Sequence, residues 1–279
     1  MTFFEAFNKI KKNHSTNDLV IFEIIFYLSK KVKDKVSYIT NRNKQIDFKF
    51  KDLSSRCDEY FISNKPLGSI TKNTRFLGLD IDVFENILVP RNDTEFVCEI
   101  AKEKINEKFK NKNIEIVDLC SGTGNIGLFL KKEFKEAKVT CLDINPVSIK
   151  NIKHNANKNK ISVNTIEGDY FETLINNKLK FDVIAMNPPY VAKHELDDTM
   201  KNYELEISFI NSKKPNDFYY NIISKRKNVI KNINDYLMIF EISSTQKSNL
   251  EKWLIKNNIN FEFYKDLSKK YRVLIISND

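Results

Sequence analysis

The first quarter of the chain has the apolar spacing of helices. Leu19, Phe22 and Phe26 recur every three or four residues after a stretch of cap-type residues, which predicts a buried amphipathic helix that runs to about Lys31. Similar spacing further along predicts shorter helices that pack with it. We therefore expect a small helical domain over residues 1–68.

The apolar period changes in the next segment. Apolar and polar residues alternate from Ile70 to Val89, so we assign residues 69–90 to a linker β-hairpin. Beyond it, short apolar runs alternate with helical patterns, which is typical of a layered α/β domain, and we place this domain at residues 91–279. Its expected strands are 114–119, 138–143, 162–166, 182–186, 236–242, 260–264 and 272–277.

The last two predicted strands distinguish between related α/β folds. Only Lys265 to Tyr271 separate them, too few residues for the crossover that a parallel pair requires. The seven-stranded Rossmann-like sheet should therefore end in an antiparallel hairpin. A dinucleotide-binding Rossmann sheet is parallel throughout, whereas a seven-stranded sheet with an antiparallel last strand is the class I fold of S-adenosylmethionine-dependent methyltransferases.

Composition narrows the class of protein. Apolar residues make up 41% of the chain and charged residues 30%, and no run approaches the roughly 18 apolar residues that a membrane-spanning helix needs. The N-terminus shows no export signal and the 4 cysteines form no CxxC pair, so we expect a cytoplasmic protein without a metal site or disulfide framework. The net charge of +9 favours acidic partners, but the lysines are spread over the whole chain and carry little weight.

The first strand of the α/β domain runs into a glycine-rich turn. Gly122, Gly124 and Gly127 form a GxGxxG pattern before a helix, where backbone N–H groups can hold a negative group. The group could be a pyrophosphate or the carboxylate of S-adenosylmethionine, or the turn could be a tight connection without a ligand. Asp143, 21 residues after Gly122, could accept both ribose hydroxyls of an adenosine or cap the next helix.

The end of the third strand carries a second candidate for adenosine binding. Asp169 could accept from an adenine amino group, and Tyr170 or Phe171 could cover the face of the ring. Ordinary core packing explains Phe171 at least as well. We therefore rank Asp169 and Tyr170 behind the glycine turn.

The end of the fourth strand carries the motif Asn187-Pro188-Pro189-Tyr190. Two prolines end the strand ladder, fix the backbone torsions and remove two N–H donors, which leaves carbonyl oxygens for a substrate. The Asn187 side-chain carbonyl and the Pro188 carbonyl can accept both hydrogens of an NH2 group, and Tyr190 can lie against its plane. This geometry suits methyl transfer to an amide or aromatic amine nitrogen, a poor nucleophile that must be oriented toward the methyl donor.

These motifs resemble those of a known enzyme family. Asn-Pro-Pro-Tyr is similar to the motif of amino-methyltransferases that act on adenine, guanine or protein glutamine. Pro66-Leu67-Gly68, the segment from Arg75 to Leu79, and Leu88 to Glu95 with its Pro-Arg-x-x-Thr-Glu pattern resemble the release factor glutamine methyltransferases. The resemblance covers almost the whole chain, in the order that the family has.

The resemblance implies an activity, a cofactor and partners. Methyl transfer would run from S-adenosylmethionine to the side-chain amide nitrogen of the Gly-Gly-Gln glutamine of peptide chain release factors, which act in translation termination. The N-terminal helices would bind the release factor. Direct nucleic-acid binding would not be required, and no membrane association is expected.

The resemblance also implies the residues of the site. The catalytic motif would be Asn187, Pro188, Pro189 and Tyr190. The cofactor pocket would be lined by Asp118, Cys120, Ser121, Gly122, Thr123, Gly124, Asp143, Asp169, Tyr170, Phe171 and Asn187. Cys120 stands where the family usually has glycine, so the backbone there must tolerate a side chain. The loop from Ala192 to Pro215 also departs from the family's pattern.

Two further pairs match the family with alternatives open. Thr94 and Glu95 would border the pocket, or would form a helix cap with an Arg91 ion pair. Glu241 and Gln246 match the family's fifth-strand region, although positions at a strand end and on a helix surface explain them as well.

Three other functions stay open at this point. A nucleic-acid amino-methyltransferase acting on adenine or guanine would need a basic groove with stacking aromatic residues. A nicotinamide-dependent oxidoreductase would use the same glycine turn and Asp143, without need of the proline motif. A catalytically silent adaptor would not be stabilised by S-adenosylmethionine.

Overall fold

The computed structural model describes residues 1–14, 17–110, 113–189 and 216–278. These residues form two compact units, which divide between Asn73 and Thr74. The loop expected to depart from the family, 192–215, lies outside the described residues, as does Tyr190.

The N-terminal unit is helical. Helix α1 buries Phe3, Ala6, Phe7 and Ile10, which is the i, i+3, i+4, i+7 spacing of one helix face. This face packs into a core that also contains the buried side chains of the neighbouring helices. The helices of the N-terminal unit are α1 (Phe3–His14), α2 (Asp18–Leu28), α3 (Lys35–Asn41), α4 (Phe50–Phe61) and α5 (Leu67–Thr71).

Helix α2 corrects a prediction about the buried face. Asn17 caps the helix, its side chain accepting from Leu19 N at 3.1 Å, but Leu19 is 54% exposed and the helix ends at Leu28. The fully buried face consists of Val20, Ile21, Ile24 and Ile25, and the predicted Phe22 and Phe26 pack partly buried against the same core. Because α2 is apolar on nearly all sides, its spacing could not identify the buried face.

The second unit contains the α/β sheet. A two-stranded sheet of β1 (Asn73–Phe76) and β2 (Leu79–Asp82) precedes it in sequence. The strands of the main sheet are β3 (Glu115–Leu119), β4 (Lys138–Asp143), β5 (Asn164–Glu167), β6 (Val183–Met186), β7 (Leu237–Glu241), β8 (Phe261–Lys265) and β9 (Tyr271–Ser277). The helices are α6 (Asn92–Phe109), α7 (Asn125–Glu133), α8 (Pro146–Asn159), α9 (Tyr170–Asn176), α10 (Asp217–Ser224), α11 (Arg226–Val229) and α12 (Lys247–Lys256).

The main sheet has the predicted topology. Within the described residues it has seven strands in the order β5-β4-β3-β6-β7-β9-β8. Strand β9 runs antiparallel to both β7 and β8, whereas the other neighbouring pairs are parallel. The class I methyltransferase-type fold expected from the short final connection is thus confirmed.

Helices cover both faces of the sheet. Alternate side chains of the strands enter two cores, so Ile116, Val183 and Ile239 pack with residues of α6 and α7. Val117, Ile184 and Met238 enter the opposite core with residues of α9 to α12. Because parallel strands all end at one edge, this arrangement brings the carboxyl ends of β3, β4 and β6 together, where ligands of open α/β sheets bind.

Helix α8 holds the short strand β2 through asparagine side chains. Asn151, Asn155 and Asn159 are spaced four residues apart on one helix face. Their Oδ1 atoms accept from the backbone nitrogens of Phe84, Asp82 and Asp80 at 3.1, 2.9 and 2.9 Å. The amide groups thereby take the place of a neighbouring strand along this edge.

The described residues lack two features, a membrane-spanning helix and a cluster of metal-binding side chains. None of their helices combines the length and the apolar character that crossing a membrane requires. They also contain no group of three or more His, Cys, Asp and Glu side chains that could hold a metal ion.

Candidate active site

The turn after β3 has a backbone that favours glycine. Cys120, Gly122 and Gly124 have φ angles of +58°, +54° and +82°, all in the left-handed region. Two of these positions are glycine, for which such torsions carry no steric cost, while Cys120 adopts the torsion with a side chain. The predicted departure from the family pattern is therefore accommodated by backbone strain at one position.

The third glycine of the pattern serves close packing. Gly127 lies in α7, and a Cβ atom at this position would be 2.4 Å from Cys141 Sγ on β4. Its N–H donates to Asp118 Oδ2 at 2.9 Å. The glycine therefore allows helix α7 to approach the sheet closely enough to place its N-terminus at the turn.

Asp118 faces the protein and not the cavity. Its carboxylate is completely buried, Oδ2 accepts from Gly127 N, and Oδ1 has no hydrogen-bond partner among the described residues. Burial raises the pKa of this carboxyl to about 7. We assign Asp118 a structural role in holding helix α7 against the turn, in place of the predicted contact with a cofactor.

Asp143 closes the turn from the second strand. Its Oδ2 accepts from Gly122 N and its Oδ1 from Asn145 N, both at 2.8 Å. Burial raises the pKa of this carboxyl, although the two backbone N–H groups and Ser148 oppose the rise. A carboxylate has about four lone-pair sites, so Asp143 retains acceptors for ribose hydroxyls while it fixes the turn.

The third strand end combines a helix cap with an aromatic wall. Asp169 Oδ1 accepts from Phe171 N and Glu172 N at 2.9 Å each, which caps α9. Tyr170 is buried, with its ring 5.5 Å from that of Phe218. Phe171 packs into the core shared with α9 to α12.

Asn187 leaves the sheet beside the glycine turn. Met186, the last residue of β6, pairs with Leu119 on one side and with Phe240 on the other. The residues that follow these three are Cys120, Asn187 and Glu241, so they meet at the same sheet edge. Asn187 is half-buried and Pro188 is buried.

A cavity of about 290 Å³ joins these elements. Of the predicted residues, those that line it are Cys120, Ser121, Gly122, Thr123, Asp143, Asp169, Tyr170, Asn187 and Pro189. Asp118, Gly124, Phe171 and Pro188 do not line it. Asp118 is directed toward helix α7, and Phe171 packs into the core that α9 to α12 share. Burial also raises the pKa of the Cys120 thiol, so this side chain faces the cavity as a neutral group.

The structure separates the predicted pair Thr94 and Glu95. Thr94 is buried and lines the cavity, and its Oγ1 donates to Glu241 Oε2 at 2.7 Å. Glu95 Oε1 instead accepts from Leu77 N at 3.1 Å and holds the turn between β1 and β2. One of the two residues therefore belongs to the site and the other to the hairpin.

Glu241 and Gln246 are both buried. Glu241 is the last residue of β7, which is the strand-end position considered for it, whereas Gln246 is not exposed on a helix surface. Gln246 Oε1 accepts from Ser243 N at 2.9 Å and from the Tyr219 hydroxyl at 3.2 Å. Gln246 lies at the start of helix α12. Its Nε2 donates to Asn216 Oδ1 at the start of α10, so the side chain points toward α10 and not toward solvent.

Several cavity residues were not expected from sequence. Ile144 and Asn145 follow Asp143, and Phe218 comes from α10. Asn145 caps α8, with Oδ1 accepting from Val147 N at 2.9 Å, and a sequence signal for it exists in the following proline. Phe218 carries no such signal, because its contact with Tyr170 spans 48 residues.

Comparison with known proteins places this chain among methyltransferases. Residues 99–206 match the family described as Methyltransferase small domain. The release factor glutamine methyltransferase of Clostridium acetobutylicum is 31% identical, covering 97% of this chain and 95% of its own. The release factor glutamine methyltransferase of Mycoplasma mycoides is 29% identical and covers 99% of each chain.

A solved structure shares the fold. The catalytic domain of hMettl16, in complex with MAT2A 3'UTR hairpin 1, superposes with a TM-score of 0.55 at 11% identity, covering 97% of this chain and 90% of that one. At this identity the likeness concerns the fold alone. The two relatives named above are release factor glutamine methyltransferases, which disfavours the oxidoreductase, adaptor and nucleic-acid hypotheses.

Proposed function

The chain belongs to the release factor glutamine methyltransferase family, and from this membership we propose that it methylates peptide chain release factors. The methyl group would pass from S-adenosylmethionine to the side-chain amide nitrogen of the Gly-Gly-Gln glutamine. The family and the methyltransferase activity predicted from sequence are confirmed by relatives that match nearly end to end.

The turn and the second strand end fit S-adenosylmethionine. The left-handed backbone at Gly122 and Gly124 opens the turn in front of α7, where the helix N-terminus favours the carboxylate of an amino acid. Asp143 would accept from the ribose hydroxyls, and Tyr170 with Ile144 would enclose the adenine. When bound, the cofactor supplies an electrophilic methyl group attached to a sulfonium sulfur. After the methyl group is transferred, the rest of the cofactor leaves as a neutral thioether.

The end of β6 fits the glutamine amide. Asn187 Oδ1 and the Pro188 carbonyl would accept the two hydrogens of the target NH2 group. The lone pair of an amide nitrogen is delocalised, so the reaction depends on holding the nitrogen in line with the methyl carbon, about 3 to 3.5 Å away. The observation that carries the proposal is that one cavity contains the glycine turn, Asp143 and Asn187.

A labelling experiment tests the proposal. The purified chain is incubated with methyl-labelled S-adenosylmethionine and a bacterial release factor, and the labelled peptide is mapped by mass spectrometry. We expect label on the glutamine of the Gly-Gly-Gln loop and none on a release factor in which alanine replaces that glutamine. Label elsewhere on the factor, or label transferred only to RNA or DNA, would refute the proposal.

A variant of the motif separates substrate positioning from cofactor binding. Asn187→Ala removes one acceptor for the target NH2 group, a loss of about 1 to 3 kcal/mol before any misalignment is counted. We therefore expect transfer to fall at least about tenfold while the Kd for S-adenosylhomocysteine, measured by calorimetry, changes little. An equal loss of cofactor affinity would contradict the assigned role.

A further inference from the structure

A chain of hydrogen bonds leads from the core to the cavity. Asn187 Nδ2 donates to Thr94 Oγ1 at 3.4 Å, and Thr94 Oγ1 donates to Glu241 Oε2 at 2.7 Å. Thr94 is 3% exposed and Glu241 1%, whereas Asn187 is half-buried at the cavity wall. The mechanism described above uses only Asn187, so the two buried groups behind it have no role assigned.

The fold explains why these three side chains meet. Strands β6 and β7 are paired in parallel with Met186 beside Phe240, so Asn187 and Glu241 leave the sheet next to each other. Helix α6 packs on β7, and Thr94 in its first turn reaches both side chains. Thr94 and Glu241 are 147 residues apart in sequence, and the packing of helix α6 on β7 brings them together.

The polarity of the three groups orients the amide. The Thr94 hydroxyl donates its hydrogen to Glu241 Oε2, which acts as the acceptor. The hydroxyl oxygen then has only lone pairs left, and its second bond requires a donor, which is the NH2 group of Asn187. The Asn187 oxygen is consequently turned away from Thr94, and the network decides between the two amide orientations.

We propose that Glu241 and Thr94 are positioning residues, which fix the direction of the Asn187 carboxamide so that its oxygen accepts from the NH2 group of the substrate. This inference rests on the proposed function. A flipped carboxamide would present N–H groups to the substrate's N–H groups, and the acceptor would be lost. The 3.4 Å separation is longer than the usual maximum of about 3.2 Å, and hydrogen bonds of catalytic groups are often long before substrate binds.

Two substitutions of Thr94 test the proposal. Thr94→Val keeps the shape of the side chain and removes the hydroxyl, so we expect kcat for release factor methylation to fall at least about tenfold. We expect the KM for the release factor and the Kd for S-adenosylhomocysteine to stay within about threefold. Thr94→Ser retains a hydroxyl and should recover kcat to within about threefold of wild type.

A second pair of variants tests whether Glu241 acts through Thr94. Glu241→Gln can present an NH2 group to the threonine hydroxyl and reverse the polarity of the chain, so we expect a lower kcat. In the Thr94→Val background the same substitution should cost no more than about twofold, because the connecting hydroxyl is already absent. Unfolding midpoints from the fluorescence of Trp253, the single tryptophan, identify variants that have lost stability instead.

The outcomes distinguish this inference from the function on which it rests. If the wild-type protein leaves the Gly-Gly-Gln glutamine unmethylated, the proposed function fails and the positioning role fails with it. If wild type is active and Thr94→Val matches it, or if valine and serine lose kcat equally, the positioning role alone is refuted. Additive effects of Glu241→Gln and Thr94→Val would remove Glu241 from the chain.

Discussion

The bridge from α8 to the glycine turn offers a sharp test of the structure. Asn155 is 0% exposed, and its Oδ1 accepts from Asp82 N at 2.9 Å. Its Nδ2 donates to Asp82 O and to Thr123 O, both at 3.0 Å. The substitution Asn155→Asp keeps the shape and the first bond, but it turns an oxygen toward the two carbonyl oxygens.

The cost follows from burial and from the lost donors. Two hydrogen bonds are removed, and an unpaired carboxylate is left in the core, which together cost about 3 to 5 kcal/mol when the group is ionised. Burial and the facing carbonyls raise the pKa of the introduced carboxyl above its value in the unfolded chain. Protonation of the introduced carboxyl therefore reduces the loss of stability, because the acid O–H can donate to one of the carbonyl oxygens. The loss of stability should become smaller as pH falls.

The neighbouring asparagine provides a matched control. Asn159 makes the same pattern of bonds, with Oδ1 accepting from Asp80 N and Nδ2 donating to Asp80 O and Asn155 O. It is partly exposed, so water can solvate a carboxylate there. We expect Asn159→Asp to lose no more than about 1.5 kcal/mol, with little dependence on pH.

Urea unfolding followed by Trp253 fluorescence between pH 5 and 8 measures both variants. The tryptophan lies in the same unit as the bridge, so its signal reports the relevant unfolding. Because Thr123 belongs to the glycine-rich turn that we propose binds the cofactor, the Kd for S-adenosylhomocysteine should rise in Asn155→Asp but not in Asn159→Asp. Equal losses of stability in the two variants, or a loss in Asn155→Asp that does not change with pH, would refute this reasoning.

Two further predictions concern the packing behind the turn. Gly127→Ala should destabilise the unit by about 1 to 3 kcal/mol, because the new methyl group meets Cys141 Sγ at 2.4 Å, and the added substitution Cys141→Ala should restore part of the loss in urea unfolding. No rescue would show that another contact limits this position. Asp118 has a pKa of about 7 against 3.8 for an ordinary aspartate, so the folded state binds a proton that the unfolded state releases, and stability should fall by up to about 4 kcal/mol from pH 4 to pH 7. Asp118→Asn should flatten this slope, and an unchanged slope would assign the pH dependence to other groups.

The sequence by itself determined the strands, their order along the chain and the reversed final hairpin. These follow from local signals: short apolar runs, the GxGxxG turn and a connection too short for a crossover. It also identified nine of the 22 described residues that line the cavity, because turn and proline chemistry is written in consecutive positions. The bends at Gly122 and Gly124 are of this kind.

Only the tertiary structure decided where the polar side chains of these motifs point. Asp118 turns back to helix α7, Glu95 bonds the hairpin, and Glu241 is buried against Thr94, although all three are charged or polar in sequence. The face of α2 that enters the core was likewise not readable, because the helix is apolar nearly all round. The partners of Glu95 and Glu241 are 18 and 147 residues away along the chain. A buried polar group is stable only where strand register and helix packing supply its hydrogen bonds.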